Sequence, residues 1–301
     1  MKLPEEIKIC EVGPRDGFQN IRRWIPTEEK IKIIDGLIAA KFKKIEITSF
    51  VHPKAIPQMQ DAKEVSRHII QENKEKDIIF NALVPNLYGA EQAWEAGLQE
   101  VTFVISASEK HNQENVNKTI EESFEELKRI KDSISDLKIK VDIATAFGCP
   151  YVGDVPVRQV LSMIEHNLEL NVDEICLCDT IGIANPLQVS KVIEKIRKGY
   201  SDLNFSLHLH DTRGMGLANV LVALKYGINV FETALGGLGG CPFAPGAAGN
   251  IASEDFINMV ENMGIYTGID LDKLLNTVEI VENQIILDVS SHLSKIEKCR
   301  R

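Results

Sequence analysis

The chain predicts a (β/α)8 barrel, the TIM-barrel architecture, on three observations. Apolar, β-branched runs alternate with segments of helical periodicity about eight times. Each strand-like run leads into a helix. No linker, low-complexity tract or shift in composition divides the 301 residues. Regular alternation calls for parallel strands joined by helical crossovers, and barrels of this kind run ~250 residues or longer. An open doubly wound sheet is the other architecture the alternation allows. The expected organisation is one domain over residues 1–301, with the barrel over about 7–252 and a helical extension over about 253–301.

The first strand, residues 7–12, ends at Gly13 and Pro14 and leads into the polar turn 15–20. Residues 27–42 carry Ile31, Ile34, Leu37 and Ile38 at helical spacing. Strand 44–48 precedes a helix over 59–72; strand 78–83 stops at Pro85, and Asn86 caps a helix closed by Gly97. Strand 100–105 is followed by a capping box, Thr119 with Glu122, opening a helix striped by Phe124, Leu127, Ile130 and Ile134. Strand 139–146 leads through the loop 148–153 to a helix ending near Leu170. Strand 174–178 ends in Asp179 and Thr180, and Asn185-Pro186 opens a helix that Gly199 closes. Strand 205–211, helix 215–226 and strand 230–235 complete the pattern, and residues 253–301 add further helix.

Composition bounds the function. Hydrophobic residues are 44% and charged residues 26%, values of an ordinary globular chain. A formal net charge of −10 argues against a nucleic-acid or anionic-membrane binder. The N-terminus shows no apolar leader and no segment approaches the ~18 apolar residues of a membrane span, so a cytoplasmic location is expected. Cys10, Cys149, Cys176, Cys178, Cys241 and Cys299 form no C-x-x-C pair, and reduced thiols are expected. Cys10, Cys176 and Cys178 sit in apolar runs, where packing is the simple reading.

The chemistry centres on the strand that carries His208 and His210. Side chains alternate along a strand, so these imidazoles share one face. A single histidine there would be an ordinary polar position, whereas His-x-His at a strand end favours a metal site. Barrel active sites form at the C-terminal ends of the strands, which places Arg15, Asp16, Thr48, Ser49, Asp179 and Thr180 around the same mouth. Asp16 then completes a site with the two histidines. Two imidazoles with oxygen ligands suit Mg2+ or Mn2+, and also Zn2+. Glu46 lies in an otherwise apolar strand covered on both faces, so its charge needs a partner, and Arg15 is the nearest one in the topology. The Gly-rich stretch 236–250 lacks Gly-Lys-Ser/Thr and follows the last strand, which excludes a P-loop and a dinucleotide fingerprint. It reads as a loop over the mouth, carrying one thiol, Cys241, and ending in the amide of Asn250.

Four motifs together, Val12-Gly-Pro-Arg-Asp-Gly-Phe-Gln-Asn20, Glu46-Ile-Thr-Ser-Phe-Val51, Leu207-His-Leu-His-Asp-Thr212 and Gly237-Leu-Gly-Gly-Cys-Pro-Phe-Ala-Pro-Gly-Ala-Ala-Gly-Asn250, resemble those of 3-hydroxy-3-methylglutaryl-CoA (HMG-CoA) lyases. The likeness spans about residues 7–275, and the Cys241 loop separates the lyases from the wider group of metal-dependent barrel lyases and synthases. The resemblance implies a TIM barrel that splits HMG-CoA into acetyl-CoA and acetoacetate. It implies Mg2+ or Mn2+ held by Asp16, His208, His210 and Asn250. Arg15 and Gln19 would contact the substrate, with Glu46 supporting the site and Cys241 as the catalytic thiol. It also implies an acyl-CoA partner and a homodimer. A related acyl-CoA aldolase or Claisen-type synthase is the alternative within the group. His52 and Arg213 depart from the family pattern beside the site, and Lys54 and Lys110 are candidate grips for the CoA phosphates.

Overall fold

The computed structural model describes residues 3–239, 249–286 and 289–300. Eight strands form a closed parallel barrel: β1 (Lys8–Glu11), β2 (Lys44–Ser49), β3 (Ile79–Leu83), β4 (Glu100–Ser106), β5 (Lys138–Ala144), β6 (Glu174–Cys178), β7 (Ser206–His208) and β8 (Val230–Thr233). The barrel shuts where β8 pairs with β1, from Lys8 opposite Val230 to Glu11 opposite Thr233. This is the TIM-barrel architecture expected from the alternation, and the open sheet is excluded.

The helices are α1 (Thr27–Ala39), α2 (Ala62–Glu72), α3 (Leu87–Glu95), α4 (Glu109–Val116), α5 (Ile120–Ser133), α6 (Val157–Glu169), α7 (Pro186–Gly199), α8 (Gly216–Lys225) and α9 (Ser253–Asn262), followed by α10 (Leu271–Gln284) and α11 (Leu293–Arg300). Caps explain several boundaries. The Asn86 side chain accepts the Gly89 N–H at 2.9 Å, and Thr119 and Glu122 form both halves of the capping box. In α1 the side chains of Ile33, Ile34 and Leu37 are wholly buried, each stabilising the fold by about 1.5–3 kcal/mol relative to exposure. None of the helices among the described residues is long and apolar enough to cross a membrane.

Three local outcomes differ from the sequence reading. Helix α4 is additional: its sequence is polar, with only His111 and Asn112 buried, so no apolar stripe announces it. Helix α2 starts at Ala62, because Pro57–Met59 winds as a separate 3-10 turn. Strand β7 stops at His208, and His210 instead forms an isolated antiparallel bridge with Asn250.

Barrel interiors are ordinarily filled with branched aliphatic residues. This one carries charge. In β5, Ile139, Val141 and Ile143 alternate with Lys140 and Asp142, and all are buried because helices cover the outer face. Near the N-terminal end of the strands, Lys44 bridges Glu100 and Glu174 at 2.7 Å each. Further along, Lys140 contacts Glu232 and lies 3.1 Å from Asp142 and 3.8 Å from Glu46.

Candidate active site

The first strand delivers its polar residues through a π-helical turn, Gly13–Gly17. Gly13 is required there, since a Cβ would run into the Leu235 side chain and come within 2.7 Å of the Glu11 carboxylate. That carboxylate knits the end of β1 to the end of β8. It accepts the N–H groups of Gly13 (2.9 Å) and Leu235 (2.8 Å) and the Ser253 hydroxyl (2.5 Å). Glu254 adds a clamp by accepting the Gly236 N–H at 3.0 Å. The β8 exit is thereby held against the turn that presents Arg15 and Asp16.

Arg15 is nearly buried, with 6% exposure, and its guanidinium donates through Nε to Glu46 and through Nη1 to Asp16 Oδ1 at 2.8 Å. The ion pair expected from the topology is therefore present. Glu46 also accepts the Thr102 hydroxyl at 2.6 Å. Burial alone would lower the Arg15 pKa, but Glu46 and Asp16 outweigh it and raise it, so the group stays cationic. Asp16 is saturated on one side by Arg15 and by the Gln19 amide, 2.7 Å away. Its Oδ2 accepts the Asn250 amide at 2.6 Å. Burial would raise the Asp16 carboxyl, yet Arg15 and the two imidazoles hold it below the ordinary aspartate range.

Asp16, His208 and His210 come together across the barrel, with one ligand atom from each lying within 4.8 Å of the others. The two Nε2 atoms are 3.0 Å apart. His208 Nδ1 donates to Glu232 Oε2 at 2.9 Å, which turns its Nε2 toward the cluster. Burial and the neighbouring His208 push His210 down to about 3, leaving it a neutral imidazole with a free lone pair. Asn250 contributes a buried amide oxygen with no hydrogen-bond partner among the described residues, and His210 Nδ1 is likewise unpartnered. A carboxylate and two nitrogen donors converging on one point, with an orphaned amide oxygen on a side chain that touches Asp16, fit a divalent cation. Gly239, at φ +99°, permits this approach, because a Cβ would strike the Asn250 amide and sit 2.8 Å from Asp16 Oδ2.

Asp142, Cys176 and Cys178 form a second buried group with ligand-like spacing. It suits a cation less well. At Cys178 the contact with Cys176 lowers the thiol, but burial together with Asp142 and Glu232 outweighs it and raises it to about 11, and burial raises Cys176 as well, so ligation would need two costly deprotonations. The Lys140 ammonium, 3.1 Å from Asp142, already supplies positive charge. The thiols read as interior packing, as their apolar surroundings implied.

A cavity of ≈ 700 Å³ opens from Arg15, Asp16, Gln19 and His210 and extends over the ends of β2 to β4 toward α4. Its floor includes Leu83, Val84 and Phe103, and its rim includes His52, Asn86, Asn115 and Lys118. Thr180 lines it, but both Asp179 oxygens are taken by the Ile183 and Ala184 N–H groups, at 3.0 and 3.1 Å. Arg213 donates to the carbonyls of Ile181 and Gly182, at 2.8 and 2.9 Å, and braces the loop after β6. Lys54 and Lys110 do not line the cavity; Lys110 is exposed and paired with Glu114 at 2.5 Å. Cys241 lies outside the described residues. The sequence reading passed over Thr102, Lys140 and Glu232. Like Glu46, Lys140 and Glu232 are charges in strands covered on both faces, and each needs a partner.

The HMGL-like family model matches residues 6–281. The chain belongs to this family. It is 45% identical to a hydroxymethylglutaryl-CoA lyase of Bacillus subtilis over 287 residues, covering 95% of each chain. A crystal structure of the Bacillus subtilis HMG-CoA lyase superposes with a TM-score of 0.95 at 44% identity, covering 99% of this chain and all of that one. An HMG-CoA lyase of Acinetobacter baumannii, solved in complex with coenzyme A and 3-methylmalate, superposes with a TM-score of 0.92 at 43% identity, covering 98% and 96% of the two chains. The cluster of Asp16, His208 and His210 lies at the C-terminal mouth of this barrel, where the fold places active sites.

Proposed function

We propose that this chain is a divalent-cation-dependent carbon–carbon lyase that splits HMG-CoA into acetyl-CoA and acetoacetate. The observation that carries this reading is the convergence of Asp16, His208 and His210 beside the buried Arg15 at one end of the cavity. Near-complete coverage by named lyases supports the substrate.

The reaction breaks the bond between C2 and C3 of the acyl group. The C3 hydroxyl loses its proton, C3 becomes the ketone of acetoacetate, and C2 leaves as the enolate of a thioester. Mg2+ or Mn2+, held by Asp16, His208, His210 and Asn250, supplies Lewis acidity at that hydroxyl when bound. Asp16 is the group placed to take the proton, because His208 holds the cation through Nε2 and keeps its Nδ1–H on Glu232. Arg15 uses Nε and Nη1 on Glu46 and Asp16, which leaves Nη2 for the enolate oxygen, where charge grows in the transition state. Gln19, fixed on Asp16, orients the substrate beside it. Cys241 returns or relays the proton to C2. The apolar floor of the cavity and its polar rim suit the mixed character of an acyl-CoA arm. A cytoplasmic location and a homodimer belong to the same proposal.

The test is acetoacetate formation from HMG-CoA before and after chelation. EDTA-treated protein should lose activity on the order of 100-fold or more and regain it with Mg2+ or Mn2+. Undiminished cleavage after chelation would contradict the reading. Cys241→Ser should bind Mn2+ like the parent while losing most turnover; full activity in that variant would remove the thiol from the mechanism.

A further inference from the structure

We propose that Glu232, held in place by Lys140, is a positioning residue of the cation cluster: it locks the His208 ring with Nδ1–H toward the barrel interior and Nε2 toward Asp16 and His210. The inference rests on the cation-dependent reading above and deepens it.

The geometry begins in the sheet. Glu232 and His208 are register partners on β8 and β7, so their side chains leave the barrel wall side by side. Glu232 Oε2 accepts from His208 Nδ1 at 2.9 Å, while Oε1 takes Lys140. Lys140 reaches it from β5, which is not adjacent to β8, so the pair spans the barrel lumen. Glu232 is 2% exposed and Lys140 is fully buried. A lone buried carboxylate would be costly, and its pairing with lysine is what permits a fixed acceptor behind the imidazole. With Nδ1 committed as a donor to Glu232, Nε2 is the nitrogen that His208 turns toward the cluster and the one a cation would claim. Acceptors of this kind fix the tautomer and orientation of ligating histidines. Lys140 also lies 3.8 Å from Glu46, the support of Arg15, so one lysine backs both halves of the site. The Lys44 group with Glu100 and Glu174 is also ionic, though only partly buried, and supports neither histidine, so it serves as an internal control.

The test uses near-isosteric variants and reads the imidazole directly. In Glu232→Gln, the retained Lys140 ammonium claims the amide oxygen, so the amide NH2 faces His208 and drives the proton to Nε2. Burial lowers the His208 pKa, but Glu232 and Asp16 outweigh it and raise it, so the spectra are taken at a pH high enough to leave the ring neutral. Two-bond 1H–15N correlation on metal-free protein should then show His208 as the Nδ1–H tautomer in the parent and as Nε2–H in Glu232→Gln. Mn2+ affinity, followed by EPR of free Mn2+, should fall roughly 10- to 100-fold. Adding Lys140→Met frees the Gln oxygen for His208, so the double variant should regain the Nδ1–H form and recover most of the Mn2+ affinity. Rescue by a second substitution is not expected of a residue that only fills space. Lys44→Met should leave tautomer and affinity unchanged. Should Glu232→Gln fail to fold, Lys140→Met with Glu232→Leu removes cation and acceptor together, and His208 must then lose its fixed Nδ1–H form. One tautomer and one Mn2+ affinity across all folded variants would overturn the proposal. The tautomer is read without metal or substrate, so a parent protein that fails to bind Mn2+ or cleave HMG-CoA would sink the functional reading and leave this result to be judged by itself.

Discussion

Arg15→Met is expected to lower turnover on HMG-CoA by two orders of magnitude or more, about the cost of removing a donor aimed at developing charge. Mn2+ binding should survive, because Asp16 keeps the Gln19 and Asn250 amides that orient it. Arg15→Lys should recover little of the loss. The native guanidinium spends Nε on Glu46 and Nη1 on Asp16 while facing the cavity, and a single ammonium cannot reproduce that planar fork. Steady-state kinetics with a parallel Mn2+ titration separates the two effects. A loss below about fivefold with metal still bound would mean that Arg15 does not stabilise the transition state.

Glu46→Ala is expected to cost about 3–5 kcal/mol of stability, the usual penalty for leaving buried charge uncompensated. Glu46 is fully buried and accepts from both Arg15 and the Thr102 hydroxyl. Its removal leaves Nε of the buried guanidinium unpartnered, with Asp16 as its remaining carboxylate, and takes away a negative charge that lies 3.8 Å from Lys140. Arg15→Ala on its own exposes the opposite imbalance. The Arg15→Ala, Glu46→Ala double variant should therefore be less destabilised than the sum of the singles, with a coupling of about 1–3 kcal/mol. Chemical denaturation of the four proteins measures it. Strict additivity would show that the contact carries no net energy.

The fold was legible because its signal is repetitive. Strand–helix alternation, the Thr119–Glu122 capping box and the Asn86 and Asn185 caps all appear where local physics put them. Helix α4 was not legible, since its eight residues bury only His111 and Asn112 and show no apolar stripe. The cluster of Asp16, His208 and His210 could be inferred because barrel topology brings strand ends together whatever their separation in sequence. The bridge from His210 to Asn250 had no such rule behind it; it follows from the β8 exit returning past β7. The support behind the cluster was legible in principle and overlooked: Lys140, Asp142 and Glu232 break apolar strands just as Glu46 does. Their pairing across the lumen depends on barrel register, which periodicity alone does not supply.

The most direct test of the account is anomalous diffraction at the manganese edge from crystals grown with Mn2+. One strong peak per chain is expected, within bonding distance of Asp16, His208 Nε2, His210 Nε2 and the Asn250 amide oxygen, and it should vanish in His208→Ala. A peak centred instead on Asp142, Cys176 and Cys178, or none at the barrel mouth at saturating Mn2+, would contradict it.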